Sequence, residues 1–272
     1  MTRFLVVPQW QGSPSARAMH LVDGAEAIAG DLPRAATTRV DVPASAGESL
    51  GTGIRRVSAL TRVADEITAA LSATDADEPV IVVGGDCGIA VPAIAATAAR
   101  HDELAVVWFD AHGDLNSPES SPSGAFAGMA LRAVFDPLPL PGSGTVPASR
   151  VILVGARELD DAEREVVADR GLRLLAVDDL DDADAVAGAV STTGATAVHV
   201  HVDLDVLDPA VISGVALPVP FGLSLDGLVA AIRALRARVP IASASISGFA
   251  PASAVAAVDD LGTILRVVGA LA

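Results

Sequence analysis

The chain has 272 residues, 51 % of them hydrophobic, with a net charge of −16 and one cysteine, Cys87. That much apolar material excludes a disordered chain and supplies a sizeable core. The acidic balance excludes the basic face a nucleic-acid partner needs, and a lone cysteine excludes an intrachain disulfide and fits a reducing cytoplasm. The N-terminal stretch MTRFLVVPQWQG reaches Pro8 and Gln9 too soon for a signal-peptide core. No apolar run is long enough to span a bilayer, so the expectation is a cytoplasmic protein with no membrane partner.

Apolar, strand-like runs recur along the chain. In order they are FLVV (4–7), PVIVVGG (79–85), LAVVWFD (104–110), RVILVGA (150–156), LRLLAV (172–177), AVHVHVDLDV (197–206) and IASASIS (241–247). They read as apolar on both faces, as strands covered by helices on both sides are. Helical patterns lie between them at 54–72, 88–100, 160–170, 182–190, 224–236 and 253–271, with Ser224 and Ser253 as N-caps. This alternation predicts an α/β fold, a mostly parallel sheet between two helix layers. The Pro- and Gly-rich stretch 136–149 reads as a surface connection, and nothing splits residues 1–272 into more than one domain.

The segment VVWFDAHGDLN (106–116) ends an apolar run with Asp110, His112 and Asp114 at every second position. Side chains two apart in an extended segment share a face. A second file stands in HVHVDLDVLDP (199–209): His199, His201, Asp203 and Asp205 take one parity, and apolar residues take the other. Parallel sheets bind ligands at the C-terminal ends of their strands. Four aspartates brought together there need a countercharge, and a divalent cation supplies it. Oxygen-rich sets suit Mn²⁺ or Mg²⁺, and mixed sets also suit Zn²⁺ or Fe²⁺. The alternative is a pair of polar strand caps bonded to loop backbone. His199 and His201 read either as donors beneath the metal or as core histidines satisfied by neighbours, and Trp108 shares the parity of Asp110.

With GGDC (84–87), DAHGD (110–114) and DLDVLDP (203–209) in this order, the chain resembles the arginase–agmatinase family of metal-dependent ureohydrolases over nearly its whole length. The resemblance implies a three-layer αβα sandwich and two Mn²⁺ ions bridged by a hydroxide that attacks a guanidinium-type carbon. It implies one ion on Asp110, His112, Asp203 and Asp205, and the other on Asp110, Asp114, Asp203 and the residue at position 87. Asp114 is carried over as the catalytic residue as well. The family has His where this chain has Cys87; a thiolate there favours Zn²⁺ or Fe²⁺, and a buried thiol there binds nothing. The family's arginases have a histidine where this chain has Ala127, and a glutamate facing the guanidinium where it has Gly248. Asn116, Ser121, Ser123 and Asp160 match positions that hold the amino-acid end of the substrate, with Arg157 beside them.

Two functions follow as expectations. One is a metal-dependent hydrolase that cleaves a non-peptide C–N bond of a guanidino- or amidino-type small molecule other than arginine. The other is a catalytically silent relative that binds or assembles. The resemblance also implies a homo-oligomer, a trimer or hexamer.

Overall fold

A computed structural model of the chain describes residues 2–75 and 78–272. Its strands are β1 (Arg3–Val7), β2 (Thr37–Arg39), β3 (Val80–Gly84), β4 (Leu104–Phe109), β5 (Val151–Val154), β6 (Arg173–Leu175), β7 (Ala197–Asp203) and β8 (Ile241–Ser247). They form one sheet in the order β2-β1-β3-β8-β7-β4-β5-β6, and every adjacent pair runs parallel. The sequence predicts a mostly parallel sheet; the sheet is parallel throughout. The helices are α1 (His20–Gly30), α2 (Val57–Ser72), α3 (Ala90–Ala98), α4 (Ala130–Phe135), α5 (Asp161–Arg170), α6 (Ala185–Ser191), α7 (Leu225–Arg238) and α8 (Ala254–Leu271). None of the described helices is long and apolar enough to cross a membrane.

Helices α1, α6, α7 and α8 cover one face of the sheet, and their apolar sides merge with it into a single continuous core. Helices α2, α3 and α4 cover the opposite face, with α5 at its side, and there the core is divided into two clusters. The division runs along β7 and β8. The sequence suggests strands apolar on both sides, but one face of this pair is polar. His199, His201, Ser243, Ser245 and Ser247 all point into the second layer and are buried. They pair in register, His199 with Ser243, His201 with Ser245, and Asp203 with Ser247.

Local chemistry explains the helix starts. Ser224 Oγ accepts from Gly227 N–H, and Ser253 Oγ accepts from Ala256 N–H. Helix α5 carries a capping box, with Asp160 bonded to the Glu163 N–H and Glu163 bonded back to the Asp160 N–H. Three elements lack a sequence signal. Strand β2 is short and half exposed, α1 contains two glycines, and α4 spans less than two turns.

One buried carboxylate ties the loop after β1 to the loop after β3. Asp86 accepts from Gln9 Nε2 at 2.8 Å, Gly12 N at 2.9 Å and Gly88 N at 3.0 Å. Replacing Asp86 by Ala leaves three buried donors without an acceptor. The expected loss is about 3 kcal/mol of unfolding free energy, read by denaturant titration; an unchanged midpoint contradicts this role.

Candidate metal centre

Four adjacent strands, β3, β8, β7 and β4, end side by side at the middle of the sheet. Cys87 follows β3 in a short helical turn capped by Asp86. Asp110, His112 and Asp114 follow β4, Asp203 closes β7, Asp205 lies in the turn after it, and Gly248 follows β8. Local backbone bonds aim the carboxylates. Asp110 Oδ1 accepts from His112 N at 2.7 Å, and Asp203 Oδ1 accepts from Asp205 N at 3.0 Å. Asp205 Oδ1 accepts from Ala111 N at 3.1 Å, which pins the two strand ends together. Trp108 Nε1 donates to Asp110 Oδ2 at 3.1 Å.

The remaining oxygens meet a small set of partners. Asp203 Oδ2 receives the Cys87 thiol and the Ser247 hydroxyl, each at 3.0 Å. Asp205 Oδ2 receives His112 Nδ1 at 3.1 Å. Asp114 stands in the left-handed region, at φ 53°, a strain typical of functional positions. Its Oδ2 is buried and has no hydrogen-bond partner.

The electrostatics follow from this crowding. Burial pushes the Asp114 carboxyl well above its ordinary value, and the charge of Asp110 adds to the push. Burial likewise lifts Asp205 well above its range, helped by Asp203 and Asp110, and lifts Asp203, helped by Asp110. For Asp110 burial acts in the same sense, but the contacts to His112 outweigh it and leave this carboxyl low. Burial opposes charge on His112, yet the Asp110 and Asp205 carboxylates override it and push its pKa up to about 12. Burial lifts the Cys87 thiol well above its ordinary value, as do Asp114, Asp203 and Asp110. Burial lowers His199 and His201 to about 3, so both are neutral. A single imidazolium therefore faces four carboxylates, and protons held in their place mark a cation-binding set.

The donors fit a divalent metal in two groups that share Asp110. One comprises Cys87, Asp110, His201 and Asp203, and the other Asp110, His112 and Asp205; within each group the ligand atoms lie within 4.8 Å of one another. Asp114, whose buried Oδ2 has no partner, borders the same cavity, which measures about 280 Å³. The grouping differs from the sequence expectation at two points: His201 stands where Asp114 is expected, and Asp203 lies outside the His112 group.

The cavity also exposes Ser123, Asp160 and Ala127 on its wall, with Gly248 on its floor. Asn116 and Ser121 do not line it. Asn116 Nδ2 donates to Asp160 Oδ2 at 2.9 Å, and Ser121 Oγ accepts from Gly124 N at 3.0 Å. Asp160 both caps α5 and borders the cavity; burial opposes its ionisation, but the Asn116 bond and the helix N–H groups outweigh it and lower its pKa. Arg157 bonds the carbonyls of Gly155, Asp205, Val206, Val219 and Pro220, so it fastens loops. Sequence reasoning passed over Glu158 and Glu163, which border the cavity, and Ser247, which touches Asp203. The period-two serines of IASASIS were the available signal for Ser247.

The model of the arginase family matches residues 18–263. An arginase of Staphylococcus aureus (strain COL) is 34% identical over 154 residues, covering 53% of this chain and 51% of its own length. The chain thus spans about half the length of the curated relatives it matches. Solved structures match almost end to end. The arginase of Bacillus subtilis is 25% identical, with a TM-score of 0.81, covering 100% of this chain and 98% of its own. The arginase of Entamoeba histolytica, solved in complex with L-ornithine, is 22% identical, with a TM-score of 0.85, covering 99% and 97%, and shows the fold alone.

The raised carboxyls of Asp114, Asp203 and Asp205 mean that the metal-free folded chain binds more protons than the unfolded chain. Their share of the stability therefore falls as pH rises above the ordinary carboxylate range; the neutral His199 and His201 act in the opposite sense up to the ordinary imidazole range, with or without metal, and the lowered Asp110 acts only below the carboxylate range. A bound cation replaces those protons and removes the loss. The Tm difference between Mn²⁺-loaded and chelated protein is expected to widen from about pH 5 to about pH 8. A difference that stays constant contradicts the assignment.

Proposed function

The chain belongs to the arginase family, and on that premise we propose that it is a metal-dependent hydrolase cleaving a non-peptide C–N bond in a small guanidino- or amidino-type molecule. The observation that carries the reading is the cluster of buried Asp110, Asp114, Asp203 and Asp205 around the half-buried His112, crowded without enough positive charge beside a cavity. The metal, manganese or, with Cys87 as a ligand, zinc or iron, supplies a Lewis acid that makes water nucleophilic at neutral pH. Asp110, Asp203, Asp205 and His112 would hold it. Asp114 Oδ2, buried and free of other bonds, is placed to hold a proton at the cavity wall.

Two positions set the substrate apart from arginine. Gly248 has φ 88°, and a Cβ there would collide with the Asp203 carboxylate. No anionic side chain fits at this place on this backbone, so a guanidinium loses its ion-pair partner. Ala127 likewise offers no imidazole. Leu21, Ala216 and Leu217 give the cavity an apolar side, while Glu158 and Asp160 give it an acidic one. A small molecule with a cationic or donor end and an amidino-type reacting group matches this lining.

A second reading, binding without turnover, is favoured by one observation: Cys87, Ala127 and Gly248, the three departures from the family pattern, all line the cavity. One experiment separates the two. Mn²⁺-loaded protein is desalted, assayed for metal, and tested for ammonia or urea release from a panel of guanidino and amidino compounds. The wild type is expected to keep its metal and to turn over an amidino compound faster than arginine, and Asp205→Ala to lose both metal and turnover. Wild-type metal content in Asp205→Ala removes the site assignment. Bound metal with no release from any compound removes the hydrolase and leaves the binding protein.

A further inference from the structure

The polar seam between β7 and β8 fixes where one imidazole lone pair must point. It starts on α3, where Thr97 Oγ1 donates to the Ala93 carbonyl at 2.8 Å. A hydroxyl has one proton, so the 2.7 Å contact between Thr97 Oγ1 and Ser243 Oγ is donated by Ser243. Ser243 then has none left for His199, and His199 Nδ1–H must donate to it, at 2.6 Å. A neutral imidazole carries a single N–H, so His199 Nε2 accepts from Ser245 at 3.0 Å. With the Ser245 proton used, His201 Nδ1–H donates to Ser245 at 2.7 Å. His201 Nε2 is left as a bare acceptor.

Its one hydrogen-bond contact, to Ser247, is long and shared. Ser247 Oγ lies 3.3 Å from His201 Nε2, 3.0 Å from Asp203 Oδ2 and 3.6 Å from Cys87 Sγ. The Ser247 hydroxyl is closer to Asp203 Oδ2 than to His201 Nε2, so its single proton goes to the shorter contact. His201 is wholly buried, and Trp108 stacks on it with ring centroids 3.7 Å apart, which holds the ring plane. A buried acceptor whose donor is shared with a carboxyl thus faces Cys87, Asp110 and Asp203, the same residues with which His201 forms a ligand group.

We propose that His201 Nε2 is a metal ligand, and that Cys87, His201, Asp110 and Asp203 form a thiolate–imidazole–dicarboxylate site selective for Zn²⁺ over Mn²⁺. The inference rests on the metal-dependent reading above and deepens it. Thiolate and imidazole shift a donor set from hard towards borderline cations. The imidazole missing at position 87 is returned from β7, two residues before Asp203. The hydroxyl–imidazole chain behind it holds the ligating tautomer, the role outer hydrogen bonds play for metal-bound histidines.

The rival ligand set replaces His201 by Asp114. Metal-free protein titrated with Co²⁺ is expected to develop a thiolate-to-cobalt charge-transfer band that is lost in Cys87→Ser. Zn²⁺ affinity is expected to fall at least about tenfold in His201→Phe, and less in Asp114→Asn. Full Zn²⁺ affinity in His201→Phe, with loss in Asp114→Asn, overturns the proposal and leaves the hydrolase standing. A measurement without variants covers a His201→Phe chain that does not fold. The ¹⁵N imidazole spectrum is expected to show His201 protonated at Nδ1 in the metal-free protein and its Nε2 resonance shifted by Zn²⁺. A protonated Nε2 in the Zn²⁺-loaded protein also overturns it. Failure of the wild type to bind Co²⁺ or Zn²⁺ at all removes the parent reading with it.

Discussion

Charge crowding at the centre of the sheet is the constraint on which the site depends. Asp110, Asp114, Asp203 and Asp205 are all buried at the ends of β4 and β7, and the ends of β3 and β8 close the space around them. Two like charges about 4 Å apart repel by about 4 kcal/mol at an effective dielectric near 20. The His112 imidazolium offsets part of this for Asp110 and Asp205, and the rest is met by protons when no cation is bound. The backbone is committed to this arrangement. Asp114 takes a left-handed conformation to enter the cavity, and Gly248 gives up its side chain so that Asp203 can sit against the backbone after β8.

The same commitment explains the uneven core. One face of the sheet is sealed by a single apolar cluster, whereas the other is cut in two by imidazoles and hydroxyls. Such a seam loses apolar burial, and its groups are tolerable only when hydrogen-bonded. Every link from Thr97 to Ser245 has a partner, and the chain of bonds ends on a backbone carbonyl at one side and at the carboxylate cluster on the other. The seam is therefore a support for the site, reaching from α3 to the strand ends.

Much of this was legible in the sequence, because it depends on period. Continuous apolar runs marked the buried parallel strands, and parity put Asp110, His112 and Asp114 on one face of one strand end and Asp203 and Asp205 on one face of another; that the two ends are neighbours came from the sheet order. The family resemblance marked Cys87, Ala127 and Gly248 as departures. The reason for Gly248 was not legible: it lies in a positive φ and in the approach of Asp203, which only three dimensions reveal. The seam escaped for a related reason. IASASIS reads as a plain strand of small residues until β8 is set beside β7, and only the register matches each serine with a histidine or aspartate. Loop residues were the least readable. Asn116 and Ser121 fall in line with a binding loop by spacing, yet their side chains bond to Asp160 and to the loop itself.

The central claim is that a divalent cation neutralises these carboxylates, and diffraction from crystals grown with saturating Mn²⁺ and, separately, Zn²⁺ tests it most directly. The account predicts anomalous density between Asp110, His112 and Asp205, and a second peak, stronger with Zn²⁺, beside Cys87 and His201. Crystals with no anomalous peak at either place, and the four aspartates turned apart onto backbone amides, would contradict it.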